Sequence, residues 1–443
     1  MRHLLLAALP AAACAAQLEV LTLVNWQRLP VGETAVMEGG AVLARVSGPS
    51  SGYNNPAGLA RLERPSVSGT VNAVEYTRVA ARTPGGDATA DDLGLKPNLV
   101  GFANTIDGGG GWSFVLANPI TWSSAIEVRS EDDGGSRYDD GRSSLDATVA
   151  GLAWGGSAAD TVDIGIGIEA WMLDYRYDAG STAEDGSTVL TSTYTESGRM
   201  VDLRLTAGVQ LAVGTWNFGA LLRSPGMRLN DQGSISASST SGDGTTTVLN
   251  HIRDESLGFD LPLPWMAGLG AAWRPEAIPG LELELDVAIS GGCGSTEVLA
   301  SADGTTRTID SGGSTTAALR LPARQVDLRT VVNPRAGLRY RLPNPVFERI
   351  VRVHLGAYLD RSPVDESNVF SDLDLMGGTA GISAEKGPML VALGGAYVTS
   401  GTLSDAIGYV SSPDTSLTPD LDATDASYAV RSFVLTIASS YRF

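Results

Sequence analysis

Three histidines and two cysteines in 443 residues leave little material for a metal centre or a nucleophile–base pair. His3 and Cys14 fall in the first sixteen residues, which read as a leader, so a mature chain would keep His251, His354 and Cys293. A single cysteine forbids an intramolecular disulfide, and Cys293, set in Gly291-Gly292-Cys293-Gly294, reads as a small unreactive residue. His251 is expected in a loop and His354 on the polar face of a strand. No nucleophile elbow accompanies either. No cysteine pair has zinc spacing. The acids at 131–133 and 139–140 lack calcium-loop spacing and read as solvated loop residues. The expectation is a protein that is not an enzyme, with no cofactor and no metal. Positive charge is also scarce, with 31 Lys and Arg against 50 Asp and Glu. Nothing forms a basic stripe, which excludes nucleic acid as a partner. After the leader no run approaches the roughly 18 apolar residues of a membrane-spanning helix. Gly165-Ile166-Gly167-Ile168-Glu169-Ala170 imitates a dinucleotide fingerprint, but it lies inside an alternating strand with no helix after it.

What is present begins with Met1-Arg2-His3 and an apolar run ending in Ala13-Cys14-Ala15-Ala16, a secretory signal peptide (residues 1–16) with cleavage expected near Ala16. Lipidation of Cys14 is the alternative, and Ala11, where a lipobox usually has Leu, weighs against it. Export without a helical anchor leaves a soluble protein or a bacterial outer-membrane β-barrel.

From about residue 66 apolar and polar residues alternate. Val201-Asp202-Leu203-Arg204-Leu205, Leu281-Glu282-Leu283-Glu284-Leu285 and Val351-Arg352-Val353-His354-Leu355 each present one oily and one charged face. Arg335, Arg339, Arg341 and Arg352 fall on polar faces, where acids such as Glu284 and Asp286 are expected to pair with them. Strands are expected near 66–80, 96–107, 112–130, 138–155, 161–178, 194–213, 215–236, 258–274, 281–299, 315–341, 350–361, 375–386, 388–400 and 427–443. That makes about fourteen, an even number as bacterial barrels require. A soluble β-sandwich also alternates, but its strands are usually five or six residues long. Stretches such as Glu131–Gly135 and Ser238–Gly244 suit extracellular loops, and Arg274-Pro275-Glu276 and Lys386-Gly387-Pro388 suit tight periplasmic turns. Phe433, Leu435, Ile437, Tyr441 and Phe443 share one face of the last strand, and barrel closure would remove its sticky edge. An aromatic terminal strand with Tyr441 and Phe443 resembles the signal by which barrel-assembly machinery recognises its clients. The fold class is therefore all-β: a transmembrane antiparallel β-barrel, residues 65–443, surrounded by outer-membrane lipid and lipopolysaccharide.

Residues 17–64 do not alternate. Asn55-Pro56 favours a turn, and Pro56 suits the first turn of a short helix. A compact segment with short helical pieces is the right size for a plug inside the barrel. Gly39-Gly40-Ala41, followed by Asn55-Pro56-Ala57-Gly58-Leu59-Ala60, resembles the hatch of the FadL/TodX family of outer-membrane transporters. In the same order along the chain, Gly219–Pro225, Leu261–Gly270 and Tyr358–Val364 are similar to further elements of that family. Leu222, where an aromatic is common, and the strand from Leu281 depart from its pattern.

The resemblance implies passive uptake of long-chain fatty acids or hydrocarbons. A hydrophobic small molecule would pass a site against the plug, involving Asn55, Pro56, Ala57, Gly58 and Leu59, and leave sideways through a gap at a kinked third strand. Asn118 and Pro119 are the candidates for that gap, because proline cannot donate to a sheet ladder; a plain bulge at the barrel rim is the alternative. A related plugged barrel that assists secretion shares the Asn-Pro-Ala-Gly-Leu run, so a scaffold for secretion or surface attachment competes with uptake. Uptake predicts an apolar cavity touching residues 17–64 and a side opening near Pro119, whereas a scaffold predicts a filled barrel with neither. A hydrophilic porin is a third possibility, which the plug-like segment opposes.

Overall fold

A computed structural model describes residues 21–26, 28–83, 86–132, 135–367, 369–400 and 427–443. The expected leader, with Cys14, lies outside the described residues. In chain order the strands are β1 (Ser66–Thr83), β2 (Gly86–Thr105), β3 (Gly111–Asp132), β4 (Gly135–Ala159), β5 (Val162–Asp185), β6 (Thr188–Val213) and β7 (Trp216–Arg223). Next come β8 (Met227–Gly242), β9 (Thr247–Leu257), β10 (Met266–Trp273), β11 (Leu281–Ser290), β12 (Cys293–Leu299), β13 (Ala302–Asp310) and β14 (Gly313–Leu321). The last are β15 (Arg324–Leu328), β16 (Val331–Arg341), β17 (Ile350–Asp360), β18 (Val364–Ser367), β19 (Leu375–Lys386), β20 (Met389–Ser400) and β21 (Ser427–Arg442).

Fourteen of these close a ring. The antiparallel ladders run from β1 through β6 to β7, then β10, β11, β16, β17, β19, β20 and β21, and β21 pairs back onto β1. Closure leaves the terminal strand no free edge. Both Ser66 and Arg442 sit at one end, paired with each other, and the turns at 274–280 and 387–388 lie at that same end. The outer face is oily because alternation puts it there: Phe114, Leu152, Ile168 and Leu205 sit side by side on four successive strands and are all exposed. Aromatic rings cluster near the short-turn end, with Trp216 stacked on Trp273 at 5.9 Å and Tyr441 edge-on to Phe443 at 5.2 Å. This is the apolar band and girdle of a lipid-embedded barrel. Among the described residues no helix is long and apolar enough to cross a membrane.

Several expected strands are broken. The strand at 215–236 parts at Ser224-Pro225-Gly226 into β7 and β8, because Pro225 has no N–H for the ladder. The strand expected at 258–274 begins at Met266, after Leu261-Pro262-Leu263-Pro264. Those at 281–299 and 315–341 divide at Gly291-Gly292 and around 322–330. β13 was not foreseen, and β9 holds His251 in a strand, not a loop. Ser238–Gly242 likewise belongs to β8. Ser238–Gly242 and β13 are mostly polar and β9 alternates irregularly, yet all three pair their backbones with neighbours. β6 pairs through its far half with β8, and β9, β13 and β14 extend that sheet. β12, β15 and β18 form a separate small sheet. β4, β5 and β6 have 25, 24 and 26 residues, more than twice the roughly 9–11 that cross a bilayer.

Residues 21–26 and 28–62 run inside the ring and are buried almost throughout up to Arg45. They contain two 3₁₀ turns, Ala35–Met37 and Pro56–Arg61, and one α-turn, Ser51–Asn54. Inward-facing glycines on successive strands let this backbone lie directly on the wall. A Cβ at Gly165 would overlap the backbone of Pro56 and Ala57, one at Gly219 that of Leu43, and one at Gly356 that of Glu38 and Gly39.

Candidate functional site

The N-terminal segment is fastened by charge and by its own amides. Asp286 accepts hydrogen bonds from the backbone N–H groups of Val42 (2.8 Å) and Leu43 (3.0 Å), and Glu284 from that of Ala44 (2.7 Å). Arg45 pairs with Glu38 and Glu284. Glu38 also meets His354 Nδ1 at 2.6 Å, and the other ring nitrogen meets Ser383 Oγ at 2.8 Å. Burial by itself would raise the Glu38 carboxyl, but Arg45, the His354 hydrogen bond and Arg339 outweigh it and hold the group down at about 2.

Glu284 and Asp286 therefore serve the N-terminal segment, not the strand arginines expected to pair with them. Arg339 pairs instead with Glu282, and Arg352 with Glu385 at 2.8 Å. Arg335 donates to the Gly40 carbonyl at 3.3 Å, while Arg341 is exposed. Periodicity could place these acids on the inner face but could not say which cation waits there.

Asn55 to Leu59 form a docking corner. The Asn55 side chain accepts from Ala57 N–H at 3.2 Å, capping the 3₁₀ turn, and donates to the carbonyls of Leu43 (2.8 Å) and Val209 (3.2 Å). Pro56 occupies the first turn, and Leu59 packs on Ala103 and Ala153. A Cβ on Gly58 would overlap the Val46 carbonyl, which restricts that position to glycine. All five residues are buried, and none borders the interior cavity beside the segment.

That cavity is lined by Trp26, Leu29, Leu43, Tyr53, Pro119 and Met266, with Arg223 and Arg335 at its edge. Arg223 is held by Glu169 at 3.1 Å and lies over the Tyr53 ring at 4.7 Å. The cavity measures about 40 Å³, well below the roughly 150 Å³ of a cavity that takes benzene. A hydrophobic guest would have to displace part of the N-terminal segment.

Pro119 also marks a break in the wall. β2 and β3 pair only from Thr105↔Gly111 to Leu99↔Ala117. Beyond that level β2 stays with β1 as far as Gly86, and β3 stays with β4 as far as Asp132. β3 slips register against β4 between Ala117 and Ile120, and Pro119 and Ile120 are both buried, so the strand bends inward. Residues 28–32 sit behind the break, tied to both edges. Arg28 donates to the Thr121 carbonyl and pairs with Glu75 at 2.8 Å, while Asn98 bonds Gly32 N–H (3.1 Å) and the Pro30 carbonyl (3.0 Å). Arg28, Asn98 and Pro97 were not foreseen. Pro97 could have been found by folding the β2–β3 hairpin on paper, since Pro97 and Pro119 are equidistant from Gly108 in its turn.

Fold and site together define a closed antiparallel β-barrel with its N-terminal segment docked inside and one interrupted ladder in its wall. Solved structures similar to it include a toluene transporter, a FadL homologue and a monoaromatic hydrocarbon channel. The toluene transporter TodX of Pseudomonas putida superposes with a TM-score of 0.61 at 12% identity, over 94% of this chain and 99% of that one. A FadL homologue of Pseudomonas aeruginosa gives 0.58 at 11%, over 96% and 99%. The monoaromatic hydrocarbon channel CymD gives 0.54 at 11%, over 96% and 99%. The chain has their fold, and identity this low speaks to fold alone. No protein-family model matches the sequence, and no curated protein matches it.

Proposed function

We propose that this chain is an outer-membrane channel of the FadL/TodX type through which hydrophobic compounds enter the cell passively. The observation that carries the reading is the interrupted β2–β3 ladder with the cavity and residues 28–32 directly behind it. Pro119 belongs to both cavity and break. In this reading residues 1–16 are a cleaved leader, 17–64 the plug and 65–443 the barrel. Asn55 to Leu59 seat the plug against the wall. Asn118 and Pro119 mark the exit, outside which Leu93 and Leu95 on β2 stand 73% and 69% exposed as an apolar lip. Affinity would come from apolar burial, roughly 0.8 kcal/mol per CH₂, so selection by chain length is shallow. Tyr441 and Phe443 would be read by the assembly machinery. Deleting Phe443 and replacing Tyr441 with Ser should cut the heat-modifiable, folded fraction recovered from membranes severalfold, and an unchanged fraction would remove that role.

The smallness of the cavity favours a second reading, a filled barrel serving as a secretion or attachment scaffold. Binding and liposome uptake of a fluorescent long-chain fatty acid and of toluene separate the two. Saturable uptake by refolded protein, altered when residues 17–64 are deleted, is the expected result. Well-folded protein that neither binds nor passes either compound would leave the scaffold.

A further inference from the structure

Both edges of the wall break carry a proline and an asparagine at the same height. Continuing the register beyond Leu99↔Ala117 sets Asn98 against Asn118 and Pro97 against Pro119. Each strand also slips against its other neighbour here: β2 against β1 around Asn98, and β3 against β4 at Asn118-Pro119. Neither proline has an N–H, so no ladder bond can form between them from either side. The Pro97 carbonyl would then face a residue unable to donate to it. It is satisfied instead by the Asn118 side chain, whose Nδ2 donates to it at 3.0 Å. The same side chain is aimed by Thr148 on β4, whose hydroxyl donates to Asn118 Oδ1 at 2.8 Å.

We infer that Asn118 is a latch at the corner of the opening, a positioning residue that stands in for the donor Pro119 lacks and limits how far β2 and β3 part. The inference rests on the exit proposed above and assigns this chain's own residues to it. The proline pair keeps the ladder from zipping shut, and the asparagine keeps it from unzipping further. One neutral, partly exposed hydrogen bond suits such a role, because it is weak enough to be lost transiently and directional enough to restore the edge. Arg28 and Asn98 act from inside and hold the plug to the two edges. Asn118 is different in tying the edges to each other.

The test uses full-length protein carrying Cys293→Ser, in lipid nanodiscs for distances and in liposomes for uptake, with spin labels at Leu95→Cys and Ser123→Cys, one on each side of the break. Asn118→Ala should lengthen and broaden the label–label distance distribution. It should also raise uptake of the fluorescent fatty acid by about fivefold, the factor carried by one net hydrogen bond. Asn118→Asp keeps the size and the Thr148 contact but cannot donate to Pro97, and should behave like Ala. Pro97→Ala with Pro119→Ala restores both donors, and should narrow the distribution and bring uptake down to that of protein-free liposomes. Heat-modifiable migration confirms that each variant is folded. Distances in the folded Asn118 variants identical to the parent would overturn the latch, and an unchanged double proline variant would overturn the paired-proline break. A parent that takes up nothing sinks the channel reading instead, while the label distances still decide the latch.

Discussion

Replacing Arg45 with Ala is expected to release the N-terminal segment from the barrel wall while the barrel itself stays folded. Arg45 is in contact with both Glu38 and Glu284, and the side chains of all three are almost fully buried. Removing one partner of a buried ion pair costs on the order of 3–5 kcal/mol, mostly because the charge left behind has neither water nor partner. Here two buried carboxylates, Glu38 and Glu284, lose their shared cation. The barrel is spared because its ladders close without the segment. Hydrogen exchange should show the amides of Gly40, Ala41 and Val46, which are bonded within the segment, exchanging faster by roughly two orders of magnitude. The strand amides of β5 and β6 should not change. Equal protection in parent and variant would mean that the glycine contacts hold the segment without the charges. Adding Glu38→Gln and Glu284→Gln to the variant should recover much of the loss.

Acid should act in the same direction. The folded Glu38 carboxyl lies at about 2, below its ordinary 4.5. A depressed carboxylate contributes stability that is fully present above its unfolded pKa and is lost as pH falls toward the folded value. Protection of the segment should accordingly decline between about pH 4.5 and pH 2, and Glu38→Gln should flatten that decline.

Gly356→Val is the second large effect expected. A Cβ at Gly356 would overlap backbone atoms of Glu38 and Gly39, which cannot swing aside as a side-chain tip can. The Glu38–Gly40 turn must then lift, breaking the Gly39 N–H bond to Thr379 Oγ1 at 2.9 Å and straining the Glu38–His354 contact. Overpacking of this kind costs roughly 1–3 kcal/mol. Valine suits a strand, so β17 itself should form normally. Gly378→Val on the neighbouring β19 is the control, because a Cβ there meets nothing within 4 Å. Single-channel conductance in planar bilayers reads the difference. Gly356→Val should leak ions through a barrel whose segment is unseated, and Gly378→Val should stay closed. A quiet Gly356→Val channel would mean that the segment can shift without opening a path.

The legible and illegible parts of this protein divide by range. Period-two alternation is a property of a few consecutive residues, so runs such as Val201–Leu211 announced their strands and even their faces. Counting such runs gave about fourteen, an even number as bacterial barrels require. The weak runs β9 and β13 escaped because their alternation is broken, by Val248 beside Leu249 and a charged Arg253-Asp254-Glu255 run in β9 and by Thr305 beside Thr306 in β13, while the backbone is still free to pair. Pro119 stood out as a ladder-breaker in its own strand. That it opens the wall could not be read from it alone, since a break needs two edges and Pro97 lies on the other. What fastens the N-terminal segment is more distant still: Arg45 meets Glu284, 239 residues away, and Glu38 meets His354, 316 away. By itself the sequence determined a closed barrel, its oily outside and a short non-alternating segment ahead of it, because each is written locally in side-chain order. Only the tertiary structure decided which acids hold that segment, how small a cavity it leaves and where the wall parts, because each of these is a meeting of chain segments that local order does not encode.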